Sequence, residues 1–137
     1  MKKAKLSVVV IDPENQTVER MTIPSETGKL ELKQANEIIG SSMIERVGIN
    51  QIVDMVIDEE GLYAQKVIGF SFKGGNQGMH FAGKAILVGF NEEGDWVSAP
   101  SINLENLYNA IVWRNEEEMR AYVDAMFGSG GIRVTTI

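Results

Sequence analysis

The residues best suited to chemistry are concentrated in "FKGGNQGMHFAGKA", Phe72 to Ala85. Gly78, Gly83 and Lys84 give the spacing G-x-x-x-x-G-K. A nucleotide-hydrolase phosphate loop continues with Ser or Thr, whose hydroxyl ligates Mg²⁺. Ala85 stands there instead. Such a loop must also open a helix, so that free N–H groups face the phosphates. The residues that follow, "AILVGF", have strand character. Both composition and context therefore argue against nucleotide hydrolysis here. Binding an anion without cleaving it stays open. Lys73 and Lys84 can act as point charges toward a phosphate, Asn76 and Gln77 can read a base or ribose, and the glycines let backbone approach a ligand closely. The competing reading, a loop whose glycines only permit turns, carries more weight.

Other candidates are weaker. His80 is the single histidine, and Met79 and Phe81 flank it. A catalytic histidine needs an orienting carboxylate and usually a nucleophile. Ser71, Ser98 and Ser101 lie in no nucleophile motif, so partial burial of His80 is favoured over catalysis. There is no cysteine, which removes disulfides, thiolate metal sites and cysteine nucleophiles. Asp54, Asp58, Glu59 and Glu60 miss the spacing of a calcium loop. Trp96 and Trp113 could stack on a base, but core or subunit packing is favoured for each. A second glycine-rich, basic segment closes the chain: "GSGG" from Gly128, then Arg133, Thr135 and Thr136. It could join the first around an anion, or simply form an edge strand. The residue types thus nominate Lys73, Asn76, Gln77, His80, Lys84 and Arg133 as ligand contacts. They nominate no catalytic residue, no metal site and no cofactor.

Positioning these residues requires a fold of modest size. The 137 residues suit one domain, read here as a sheet-rich part with one helix over 1–100 and helices with a tail strand over 101–137. Hydrophobic residues make up 44% and charged residues 23%, the mix of a soluble globular protein. The formal net charge is −6, from 13 basic and 19 acidic side chains. That balance disfavours a nucleic-acid polymer as partner, because such binding relies on basic patches that displace counterions. No apolar run approaches the roughly 18 residues of a membrane helix, and the opening "MKKAKLSVVVIDP" reads as a strand rather than a secretion signal.

Leu6 to Ile11 is a β-branched run with the look of a buried strand. "DPEN" supplies a turn, in which Asp12 bonds the backbone ahead. Thr17 to Ile23 returns as a hairpin strand. "GKLELKQANEIIG" carries Leu32, Ala35, Ile38 and Ile39 at helical spacing, and Gly40 is a natural stop. "MIERV" and "QIVDMVI" read as strands. Two similar turns, "IDEEGL" and "FNEEGDW", predict hairpins that pair Ile52–Ile57 with Leu62–Val67, and Lys84–Phe90 with Trp96–Ser98. "NLENLYNAIVW" predicts a helix capped by Asn103, with Leu104, Leu107, Tyr108 and Ile111 on one face. "NEEEMRAYVDAMF" predicts another, capped by Asn115 and stopped by Gly128, with Met119, Tyr122, Val123 and Met126 as its apolar stripe. "IRVTTI" predicts a last strand. The expected class is α+β: a mainly antiparallel sheet of five to seven short strands with about three helices, two of them C-terminal.

The succession "VVVIDPENQTVERMTI", "LKQANEIIGSSMIERV", "DMVIDEEGLYAQ" and "GKAILVGFNEEGDWVS", about Leu6 to Ser98, resembles a family of small, mostly phage-encoded proteins with a domain of unknown function. Ser41 stands where that family usually has a second glycine. "KVIGFSF" replaces its usual Pro-Asn element, and the helical part from Asn103 lies beyond the likeness. The resemblance implies a viral accessory protein in the host cytoplasm. Its class suggests an anti-defence sponge, a non-enzymatic homo-oligomer that sequesters a nucleotide-like signal such as a cyclic dinucleotide. The alternative is an acidic inhibitor of a host nucleic-acid-binding or defence protein.

Overall fold

A computed structural model of the chain describes residues 4–74 and 78–127. Its centre is β1 (Ala4–Asp12) lying antiparallel to β7 (Ala85–Phe90). Both are nearly continuous apolar runs because both of their faces are covered, so alternation with polar residues would leave unpaired groups inside. Side chains still alternate in direction. Leu6, Val8 and Val10 enter one core with Ile86 and Val88, while Val9 and Ile11 enter another with Ala85 and Leu87.

Around this pair the main sheet runs in the order β2-β1-β7-β4-β3, with β2 (Thr17–Ser25), β3 (Ile44–Gly48) and β4 (Val53–Asp58). A short β8 (Trp96–Val97) joins β7 past the end of its pairing with β1. The hairpin β1–β2 is closed by Asp12, whose carboxylate accepts hydrogen bonds from the N–H groups of Glu14 and Asn15 at 3.0 and 3.3 Å. On one face lies α1 (Leu32–Ile39), with Ala35 fully buried against the sheet. Gly40 stops it in the left-handed conformation at φ 81°. On the other face lies a three-stranded sheet in the order β6-β5-β9, made of β5 (Gly69–Phe72), β6 (His80–Ala82) and β9 (Ile111–Arg114). Phe70, Phe81 and Ile111 of this second sheet fill the core with Val9, Ile11, Met55 and Leu87.

The helix α2 (Leu104–Ala110) is capped by Asn103, which accepts from the Asn106 N–H at 2.9 Å. The helix α3 (Glu116–Phe127) begins with a reciprocal cap between Asn115 and Glu118. Met119 is the fully buried anchor of α3, whereas Met126, expected in its apolar stripe, is 53% exposed. The α+β class therefore holds: the described residues form a six-stranded antiparallel sheet, the smaller second sheet and three α-helices, two of them following Pro100. The expected stop at Gly128 and the strand "IRVTTI" lie outside the described residues.

Two elements differ from expectation, each for a topological reason. Leu62–Val67 does not return as a hairpin partner of β4. Both edges of β4 are already occupied, by β3 and β7, so the chain instead makes a 3-10 turn at Gly61–Tyr63 and continues without strand pairing to Ile68. The matching turn after β7 does form its hairpin, with Asn91 accepting from the N–H groups of Glu93 and Asp95. Second, Ile111 leaves the helix predicted to contain it. The run Ile111–Arg114 pairs with β5, where the β-branched Ile111 and Val112 suit a pleated surface better than a helix.

Among the described residues, Lys29 meets Asp95 at 3.0 Å, tying the lead into α1 to the β7–β8 turn. Hydrogen bonding from Lys29 holds the Asp95 carboxyl below its ordinary value, and the same bond raises Lys29. The Asp95 contribution is present above the ordinary carboxylate range and disappears as pH falls through its depressed value. The Lys29 contribution is present below the ordinary lysine range and disappears as pH rises through its raised value. The stability difference between wild type and Asp95→Asn, followed by urea unfolding across pH, is thus expected to be largest near neutrality and to shrink toward acid. A difference unchanged down to strongly acidic pH contradicts the pairing.

Among the described glycines Gly69, on β5 beside β6, leaves the least room for a side chain. A Cβ there would collide with the Phe81 carbonyl and touch the Met119 methyl group. Gly69→Ala is expected to cost about 3 kcal/mol in urea unfolding. Gly48→Ala, on an open strand end, is expected to stay within about 0.5 kcal/mol.

Candidate functional site

The segment that drew attention in the sequence is divided by the fold. Gly78 precedes β6, Gly83 forms the turn out of it, and Ala85 opens β7. A strand, not a helix, follows Lys84, so this turn does not itself lead into a helix N-terminus. Gly83 has φ 77°, which only glycine adopts cheaply. Its N–H is already donated to the Ile68 carbonyl at 2.9 Å and is not free for an anion.

Of the nominated contacts, the three among the described residues, Lys73, His80 and Lys84, do not converge. Lys73 follows β5 and is exposed, with its N–H on the Ala110 carbonyl. Lys84 lies at the opposite end of β6, because Gly69 pairs with Ala82 and Ser71 with His80. His80 is half-buried and stacks on Tyr122 of α3, with ring centroids 4.4 Å apart and planes within 7°. Its Nδ1 is buried without a hydrogen-bond partner among the described residues. The stack gives His80 a packing role between β6 and α3. Asn76, Gln77 and Arg133 lie outside the described residues.

The acids imagined as a metal site are likewise dispersed. Asp54 is buried near the start of β4, with Arg46 at 3.5 Å. Asp58 ends β4 and accepts from the Glu60 N–H at 2.9 Å. Among the described residues no group of three or more His, Asp or Glu could hold a metal ion.

A cleft does form around Lys84, about 360 Å³ in volume. Four pieces of chain enclose it: the β1–β2 turn with Asp12 and Pro13, the end of α1 with Ile39, the unpaired run with Lys66 and Ile68, and the turn Gly83–Lys84. Asp12 and Lys84 are placed as the next cross-strand positions beyond the pair Ile11 and Ala85. Ile39, Val67 and Ile68 give the cleft apolar walls.

The charges lining it differ in their commitments. Asp12 is spent on the turn: one oxygen accepts two N–H groups and the other accepts from the Asn15 side chain at 2.8 Å. Asp58 is engaged by the Glu60 N–H. Lys66 and Lys84 make no ion pair among the described residues, and neither does Glu14, an exposed acid at the mouth of the same cleft. Two uncommitted ammonium groups beside apolar walls suit a small anion with an apolar body. Lys66 escaped sequence reasoning because its surroundings read as a strand, on which it would be an ordinary exposed residue.

Lysines without an ion pair among the described residues add little to folding there. Lys66→Ala and Lys84→Ala are each expected to change unfolding free energy by no more than about 0.5 kcal/mol in urea titrations. A loss of about 2 kcal/mol in either would give that lysine a structural role instead.

Among the described residues no helix is long and apolar enough to cross a membrane. No curated protein and no solved structure matches the chain. A family model does, over residues 4–120. This match runs past Ser98, through α2 and β9 and into α3, so about half of the part from Asn103 that the sequence likeness left out falls within the shared domain. With most of its length covered, from the first strand to the third helix, the chain belongs to the family described as a domain of unknown function, DUF3846.

Proposed function

We propose that the protein binds a small phosphorylated ligand in the cleft between the β1–β2 turn and Lys84, and holds it without turnover. The observation that carries this reading is the pair of uncommitted lysines, Lys66 and Lys84, in a cleft whose buried acid Asp12 is consumed by its own turn. An arriving phosphate gains two charge-assisted contacts there. The one histidine is packed on Tyr122 and is absent from the cleft lining, so it offers no proton relay to a ligand in this place. The ligand class taken from the family likeness is a signalling nucleotide such as a cyclic dinucleotide, and the role is sequestration by a phage accessory protein acting as a homo-oligomer in the host cytoplasm. Those finer points are supported by the resemblance in sequence, not by the geometry.

Calorimetry with a panel of mono- and dinucleotide cyclic signals tests the reading. At least one member is expected to bind, to be recovered unchanged by mass spectrometry after heat release, and to bind Lys84→Ala at least about ten-fold more weakly. No heat with any member overturns it, and so does recovery of a cleaved product.

A second reading, an acidic inhibitor of a host protein, is supported by the first turn of α3, where Glu117 and Glu118 are exposed. It requires a stoichiometric, salt-sensitive complex with a basic host protein. Its affinity would fall on Glu117→Lys and stay unchanged on Lys84→Ala.

A further inference from the structure

We infer that the ligand site is bipartite, with Asp12 and Lys84 as the wall shared by two clefts, and that its ligand carries a phosphate joined to an arm rich in N–H donors. This deepens the reading of the first cleft as a phosphate site and rests on it. A second cleft of about 520 Å³ opens on the other side of the same two residues. Its apolar lining is Val10, Met21 and Ile38, and its polar rim includes Thr17, Glu19, Arg20 and Glu37, of which Arg20 donates its guanidinium to the Ser7 hydroxyl and the Ala99 and Pro100 carbonyls. The end of α1 passes over both openings: Glu37 and Ile38 line the second, Ile39 the first.

The placement follows from register. Lys84 stands just beyond the last β1–β7 pair, where the ladder stops and a side chain can serve either side. A phosphate drawn to Lys84 therefore sits at the junction, and the rest of the ligand extends into one cleft or both. Each cleft has the size of an ordinary small-molecule site, roughly 300–1,000 Å³.

The chemistry of the second cleft selects the arm. Glu19 and Glu37 are exposed and enter no ion pair among the described residues. Ionised carboxylates only accept hydrogen bonds. A purely anionic ligand would be repelled by them, whereas a ring bearing amino or ring N–H groups would be held, with its face on Val10, Met21 and Ile38. Adenine and guanine present such donors. The lysines of the first cleft and the carboxylates of the second thus discriminate together: the phosphate must be attached to a donor-bearing ring.

Calorimetry with inorganic pyrophosphate, adenosine and guanosine 5′-diphosphates, and cyclic di-AMP and cyclic di-GMP tests this. At least one purine nucleotide is expected to bind roughly ten-fold tighter than pyrophosphate, an advantage of one charge-assisted hydrogen bond. Glu37→Gln, an exposed change that leaves folding intact, is expected to erase most of that preference and leave pyrophosphate affinity within about two-fold. Lys84→Ala should weaken every probe. Pyrophosphate binding as tightly as every nucleotide, or a nucleotide preference untouched by Glu37→Gln, overturns the bipartite site and leaves the phosphate cleft standing. No binding of any probe overturns both.

Discussion

The antiparallel pairing of β1 with β7 is the constraint on which the remaining structure depends. Val9 opposite Leu87, and Val10 opposite Ile86, place successive side chains in two separate cores. Each fully buried valine, leucine or isoleucine contributes roughly 1.5–3 kcal/mol, so both cores draw on the same two strands. A slip of one residue would exchange the two sets of side chains and empty both interfaces at once. The register is therefore doubly determined. It settles where α1 lies on one side and where the β6-β5-β9 sheet lies on the other.

That constraint also creates the candidate site. With β7 held between β1 and β4, β4 has no free edge, and the chain from Gly61 to Ile68 must pass across the end of the sheet unpaired. The run that fails to become a strand is the wall of the first cleft and brings Lys66 toward Lys84. The position of Lys84 has the same origin, since it occupies the step between the Gly83 turn and the first β7 pair. Asp12 is brought opposite it by the same ladder and is then committed to closing the β1–β2 turn. Hydrogen bonding thus weighs on the charge balance of the cleft: Asp12, which satisfies backbone N–H groups, competes weakly for a neighbouring lysine, and Glu14 is the lining acid without such a commitment among the described residues.

Much of the fold was legible in the residues. The β-branched run of β1, the Asp-Pro turn, the helical spacing ending in Gly40, the Asn103 and Asn115 caps, and the acidic-glycine hairpin after β7 all acted locally as their chemistry dictates. These signals are short-range: a cap, a positive φ, a period of two or of 3.6. The failures were long-range. "IDEEGL" and "FNEEGDW" are near twins as turns, yet only the second has a free strand edge beside it. Ile111 continues a helical stripe by spacing, yet the open edge of β5 takes it into a strand.

The candidate site was less legible than the fold. Composition and spacing established that Gly83–Lys84 is not a hydrolytic phosphate loop, because Ala85 has no hydroxyl and an apolar strand follows. They also established α+β character and the main turn points, since these follow from side-chain shape and backbone preference over a few residues. Which lysine stands near which was decided only by tertiary structure. Lys73 and Lys84, eleven positions apart in one glycine-rich segment, end at opposite ends of β6. Lys66, never suspected, lines the same cleft as Lys84. His80 is stacked on Tyr122 of α3, a contact no local pattern announces. Proximity of charges in space depends on strand register and edge occupancy, and these are properties of the assembled sheets, not of any local run of residues.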